Sequence, residues 1–217
     1  MHVPFLSYDR LKAEAASTLS KSHVCDRFPI AIELIVERDY DMDVVPIRGL
    51  QKAFNIDAFI SRDTTTISVD EFVLENRLNR YRFSLAHELG HRVLHREILR
   101  AMTFESIEDW KSQVTQIPER EYGFLEYQAN TFANCLLVPA DELDKRFEQA
   151  VDQIRTAGLN PAEYPDECMD SICTACGFRF LCDLNVDQLE RWLIEQVNND
   201  ERKASAAVYN GYVELWV

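Results

Sequence analysis

Residues 87–91 read His87-Glu88-Leu89-Gly90-His91, and His95 follows four residues later. Two imidazoles four apart lie one turn apart on one face of a helix, where both can reach a single ion. Glu88 stands ~100° further round the same helix, beside such an ion rather than on it. That is where a base must sit to take a proton from activated water. The flanks agree with a helix, because Leu78, Arg82, Leu85, Leu89 and Val93 keep helical spacing over about residues 76–95. Leu85, Leu89 and Val93 are expected to face a core. Gly90 costs about 1 kcal/mol in a helix relative to alanine, so another backbone is expected to approach there. The plainer alternative is an ordinary helix carrying two partly exposed histidines.

A catalytic zinc takes three protein ligands and keeps one position open. The candidate third ligand is Glu126, in the run Glu126-Tyr127-Gln128-Ala129-Asn130-Thr131-Phe132-Ala133. Glu126, Ala129, Asn130 and Ala133 form one helical stripe, and the small residues below the carboxylate let this helix lie close against the first. Glu97 is too near in sequence and on the wrong face, while Glu119 and Glu121 fall around the helix start. His95 would sit ~12 Å beyond His87 on a straight helix, too far to share the ion. It is expected to be packed near the helix end, where a cation is favoured.

Around these motifs the chain reads as α+β, mostly helical with a small three-stranded sheet packed beside the HExxH helix. A first helix is expected from Ser7 to about Ser20, with Ser7 as cap and Leu11, Ala15 and Leu19 inward. A second starts at Pro29 and carries Ile32, Ile35 and Val36. Strands are predicted at Met42–Ile47, Ala58–Ser61 and Thr65–Val69, the last two forming a hairpin across Arg62-Asp63-Thr64. Helices are predicted over about 120–138, stopped by Pro139, and near 141–156 and 186–198. Asn210-Gly211 marks a terminal hairpin.

The net charge of −14 argues against direct nucleic-acid binding, which needs clustered positive charge. No apolar run approaches the ~18 residues of a membrane span, and no secretory leader is visible. A cytoplasmic protein is expected, with its six cysteines reduced or ligating.

Arg82-Phe83-Ser84-Leu85-Ala86-His87-Glu88-Leu89-Gly90-His91, with Leu94-His95 after it, resembles the core motif of the ImmA/IrrE family of metallopeptidases. So does the run from Glu126 to Ala133, ending in Leu136-Leu137-Val138-Pro139, and the hairpin from Phe59 to Val69 stands where that family has one. The likeness covers about residues 27 to 140. It implies a zincin-like domain over residues 1–140. The region after residue 140 is less typical of that family, and its own pattern predicts a helical extension over 141–217 with the terminal β-hairpin, packed on the same domain. The likeness implies His87, His91 and Glu126 as ligands of one Zn2+ per chain, with Glu88 as general base. It also implies a partner: an intracellular helix-turn-helix repressor of phage, mobile-element or stress genes, cleaved as substrate.

Cys168, Cys173, Cys176 and Cys182 crowd into 15 residues, and Cys173-Thr174-Ala175-Cys176 has zinc-like spacing. There is no second tight pair, so packing is favoured over a metal knuckle. For function, the rival to a peptidase is a non-proteolytic protein that sequesters a repressor or serves a toxin–antitoxin pair. A complete ligand set accompanied by the base Glu88 argues against it. Tyr122 or Tyr127 is expected to assist a developing oxyanion.

Overall fold

The computed structural model describes residues 2–25, 28–104 and 106–160. The chain divides into two compact units, Met1–Leu137 and Val138–Val217. The first is an α+β unit in which helices dominate, as the periodicity predicts.

Helix α1 spans Tyr8–Lys21, and the Ser7 hydroxyl caps it by accepting from the Arg10 N–H at 3.3 Å. Its buried stripe is Leu11, Ala15 and Thr18, so Thr18 takes the inward place expected of Leu19. The second helix departs from its reading. Pro29 lies outside it, and Ile32–Leu34 (α2) runs straight into a π-helical turn, Ile35–Asp39. The widened turn is closed by the Tyr40 N–H on the Ile35 carbonyl at 3.1 Å. Ile32, Ile35 and Val36 are fully buried all the same.

Three strands follow: β1 (Asp43–Ile47), β2 (Ala58–Ile60) and β3 (Thr66–Asp70), with a short helix α3 (Leu50–Phe54) between the first two. Their order is β1-β3-β2, with β1 parallel and β2 antiparallel to β3. The β2–β3 turn falls where expected and is laced by Asp63, whose Oδ1 accepts from Ser61, Thr65 N–H and the Thr65 hydroxyl. β2 is therefore an edge strand. Asp57 and Ser61 spend their backbone groups on β3, at 2.8 Å each, which leaves Ala58 and Ile60 facing the free edge.

Asp70 ends β3 and caps α4 (Glu71–Asn76) through Phe72 and Val73 N–H, while its other oxygen takes the Gln51 N–H at 2.9 Å. The motif helix, α5, begins at Leu78 rather than Asn76, because Arg77 leaves helical geometry (φ −135°). It runs to Leu94. Two short helices unforeseen in the sequence follow, α6 (Arg96–Ala101) and α7 (Ile107–Val114), the latter capped by Ser106. Helix α8 spans Glu119–Leu137. In the second unit, α9 (Ala140–Thr156) buries Leu143, Phe147, Ala150, Val151 and Ile154 along one face. The predicted helix near 186–198, the terminal hairpin and the four clustered cysteines lie outside the described residues.

The core of the first unit is α5, packed on α8 on one side and on β2 and β3 on the other. Contact with α8 is closest at Gly90. A Cβ placed there would lie 3.1 Å from Phe132 Cδ1 and 3.2 Å from both Cα and O of Ala129. Backbone atoms cannot swing aside, so the glycine is required for the approach. Helix propensity alone favours Gly90→Ala by about 1 kcal/mol, but overpacking costs about 1–3 kcal/mol. We expect Gly90→Ala to lower the melting temperature. Gly123→Ala, whose Cβ meets nothing within 4 Å, should raise it. Equal stabilisation by both substitutions in thermal denaturation would show that the helices do not meet at Gly90.

Candidate metal centre

His87 and His91 point from one face of α5 toward α8, whose Glu126 points back. Their side chains each offer one ligand atom, and the three atoms lie within 4.8 Å of one another. The two Nε2 atoms are 3.0 Å apart, and the Glu126 oxygens stand 3.4 Å from His87 Nε2 and 3.7 Å from His91 Nε2. Such convergence of two imidazoles and a carboxylate can hold a divalent ion. Both rings are fixed from behind. His87 Nδ1 lies 2.9 Å from Asn130 Oδ1, so Nδ1 donates, and in the neutral ring Nε2 is the nitrogen that can ligate. His91 Nδ1 lies 3.0 Å from His95 Nδ1.

These groups open into a cavity of about 210 Å³ that also takes in Glu88, Tyr122 and the β2 residues Ala58–Ile60. Trp110, Val114 and Ile117 also line it. Glu88 is buried beside the Ile60 N–H, one of the two outward-facing amides of the edge strand. Of the two tyrosines, Tyr122 lines the cavity one turn before Glu126, whereas Tyr127 is 40% exposed and elsewhere. Residues 62–164 match the family model of peptidase M78, described as the IrrE N-terminal-like domain.

Residues 62–164 carry an ImmA/IrrE-type domain.

The match begins in the β2–β3 turn and runs past Pro139, whereas the likeness in sequence was expected over 27 to 140. This domain supports a metallopeptidase-type activity on a protein substrate. No curated protein and no solved structure matches the chain.

The electrostatics of this ImmA/IrrE site follow from burying five titratable groups together. Burial opposes charge on His87, but the hydrogen bond and attraction of Glu126 outweigh it and lift its pKa to about 9. Burial likewise works against the Glu126 carboxylate, yet His87, with help from His91 and His95, draws it down to about 2. Burial pushes Glu88 up to about 7. It also lowers His91 and His95, so the latter is packed and neutral rather than the cation expected at a helix end.

Sequence reasoning brought together His87, Glu88, His91 and Glu126, and the structure gathers all four in one cavity. It assigned no role to Asn130, although that residue was already in the Glu126 stripe. The Ile60 amide and Trp110 were missed, because a backbone group and a ring from an unforeseen helix leave no spacing signal.

In the metal-free protein His87 is protonated up to about pH 9, and a ligating imidazole must be neutral. Metal binding at pH 7 should therefore expel about one proton, with affinity rising as pH approaches 9 and the rise ending above it. Calorimetry in buffers of different ionisation enthalpy reads that proton. Release should shrink in Glu126→Ala, along with metal content. No proton release by the wild type would mean that the His87–Glu126 pair does not form.

Proposed function

We propose that the protein is a zinc-dependent endopeptidase that cleaves an intracellular helix-turn-helix repressor of phage, mobile-element or stress genes. The observation that carries the catalytic part is the meeting of His87, His91 and Glu126 within 4.8 Å, with Glu88 in the same cavity. All four belong to the first compact unit.

His87, His91 and Glu126 would hold the ion. An imidazole majority suits zinc better than magnesium or calcium, which prefer oxygen. Bound there, the ion supplies Lewis-acid activation of water and of the scissile carbonyl. Glu88 takes the proton of the attacking water and returns it to the leaving amine. A carboxylate whose pKa is near 7 can do both at neutral pH. The Ile60 N–H beside it favours its charged form. The free edge of β2 offers Ala58 N–H and C=O to a substrate backbone laid alongside as an added strand.

Tyr122 supplies the remaining group. Its phenol is held protonated by burial and by the nearby Glu126 and Glu88 charges, so it remains a donor. Aimed into the cavity, its O–H serves the oxyanion that forms as the carbonyl is attacked.

The substrate class rests on the family resemblance and on charge: −14 on this chain attracts a basic DNA-binding protein at long range. We expect Glu88→Gln to bind zinc and repressor as the wild type does, yet cleave at least ~10²-fold more slowly. Tyr122→Phe should lose ~10–10³-fold in kcat with little change in zinc content. Purified protein mixed with a helix-turn-helix repressor encoded beside it, followed by mass spectrometry, tests both. Release of the repressor from DNA by wild type and Glu88→Gln alike, with no cleavage, would replace catalysis by sequestration.

A further inference from the structure

His91 is supported through an unusual partner, another imidazole, and what stands behind that imidazole reaches the start of the chain. His95 is buried at the end of α5, and its Nε2 lies 3.0 Å from Gln128 Oε1. Gln128, equally buried on α8, places its Nε2 2.9 Å from the carbonyl oxygen of Pro4.

With both imidazoles neutral, the polarity of this chain has one solution. A carbonyl oxygen only accepts, so the Gln128 amide must turn its NH2 toward Pro4 and its oxygen toward His95. An amide oxygen also only accepts, so His95 Nε2 carries the proton. Nδ1 of neutral His95 is then a lone pair facing His91 Nδ1, which must donate to it at 3.0 Å. His91 Nε2 is left bare, and it faces His87 and Glu126.

The segment bearing Pro4 is anchored well enough to set this direction. Val3 is buried, its N–H donates to Glu121 Oε2, and the Phe5 ring packs edge-on against Phe124 at 6.2 Å. Glu121, Phe124 and Gln128 form one stripe of α8, while Tyr122, Glu126 and Asn130 form the stripe that faces the site.

We propose that residues 2–5 are a positioning strap for the metal centre: the Pro4 carbonyl, acting through Gln128 and His95, fixes His91 in its metal-binding tautomer. This rests on reading His91 as a ligand. Pro4, Gln128 and His95 are positioning residues that never touch substrate.

The test uses the orientation argument itself. In Gln128→Glu both side-chain oxygens accept, so His95 keeps its acceptor without any carbonyl to orient it. Removing residues 2–5 should weaken zinc binding ~10–100-fold in the wild-type background, by chelator competition, and by less than threefold in Gln128→Glu. Gln128→Leu should match the strap deletion. Long-range 15N–1H NMR of the metal-free proteins should show His91 protonated on Nδ1 in the wild type and Gln128→Glu. It should show a tautomer mixture in the strap deletion.

Equal losses from strap deletion in both backgrounds, or no loss in the wild type, would overturn the proposal. So would an unchanged His91 tautomer in the folded strap deletion. Because the tautomer is read without metal, a wild type that binds no zinc would overturn the ligand reading and leave the strap judged by NMR alone. Should Gln128→Leu fail to fold, the deletion and Gln128→Glu decide.

Discussion

The site depends on two helix backbones touching. His91 and Glu126 are far apart in the chain, and no local structure could bring them to a common point. They meet because α5 presents a bare Cα at Gly90 to the main chain of Ala129, with the Phe132 ring alongside. Once that contact is fixed, helical geometry does the rest. His87 and His91 flank Gly90, each within one turn of it, and Glu126 and Asn130 lie within a turn of Ala129. A side chain at Gly90 would separate two halves of a ligand set whose atoms now lie within 4.8 Å.

Much of this was legible in the sequence, and for a definite reason. Helix period, cap and ligand spacing are local properties, so α5, α8, both ends of the β2–β3 hairpin and the four central residues could be read from their neighbours. Ser7 caps α1 as its residue type suggests. What escaped was non-local or competed with a local signal. Thr18 replaces Leu19 in the core, where its hydroxyl lies 3.3 Å from that of Tyr40. The π turn after Leu34 is invisible to a 3.6-residue period. Helix α7 buries none of its residues, so its apolar stripe is thin, and only the Ser106 cap marked it. The Gln128–Pro4 bond spans 124 positions and leaves no trace in either neighbourhood.

Helix α8 illustrates how one element serves several demands. One stripe holds the strap, another faces the cavity, and its small residues meet α5. The sheet contributes in a comparable way. The Ile60 amide, left over because β2 lies at the edge, faces the buried Glu88 rather than a fourth strand among the described residues. Glu88 thus stands beside the strand that borders the cavity.

The α7 part of the rim is built on other terms. Trp110, Val114 and Ile117 reach the cavity from α7 and the turn after it, and Trp110 leans on Phe59 with ring centroids 5.5 Å apart. No residue of α7 is buried, whereas α5 and α8 are held by many that are. Heritable change is therefore unequally tolerated around one opening. Substitutions in α5 and α8 are constrained by packing and by ligation together, while those in α7 alter what the opening admits with little effect on folding. A lineage could acquire new prey by rewriting that rim while inheriting its cutting chemistry intact.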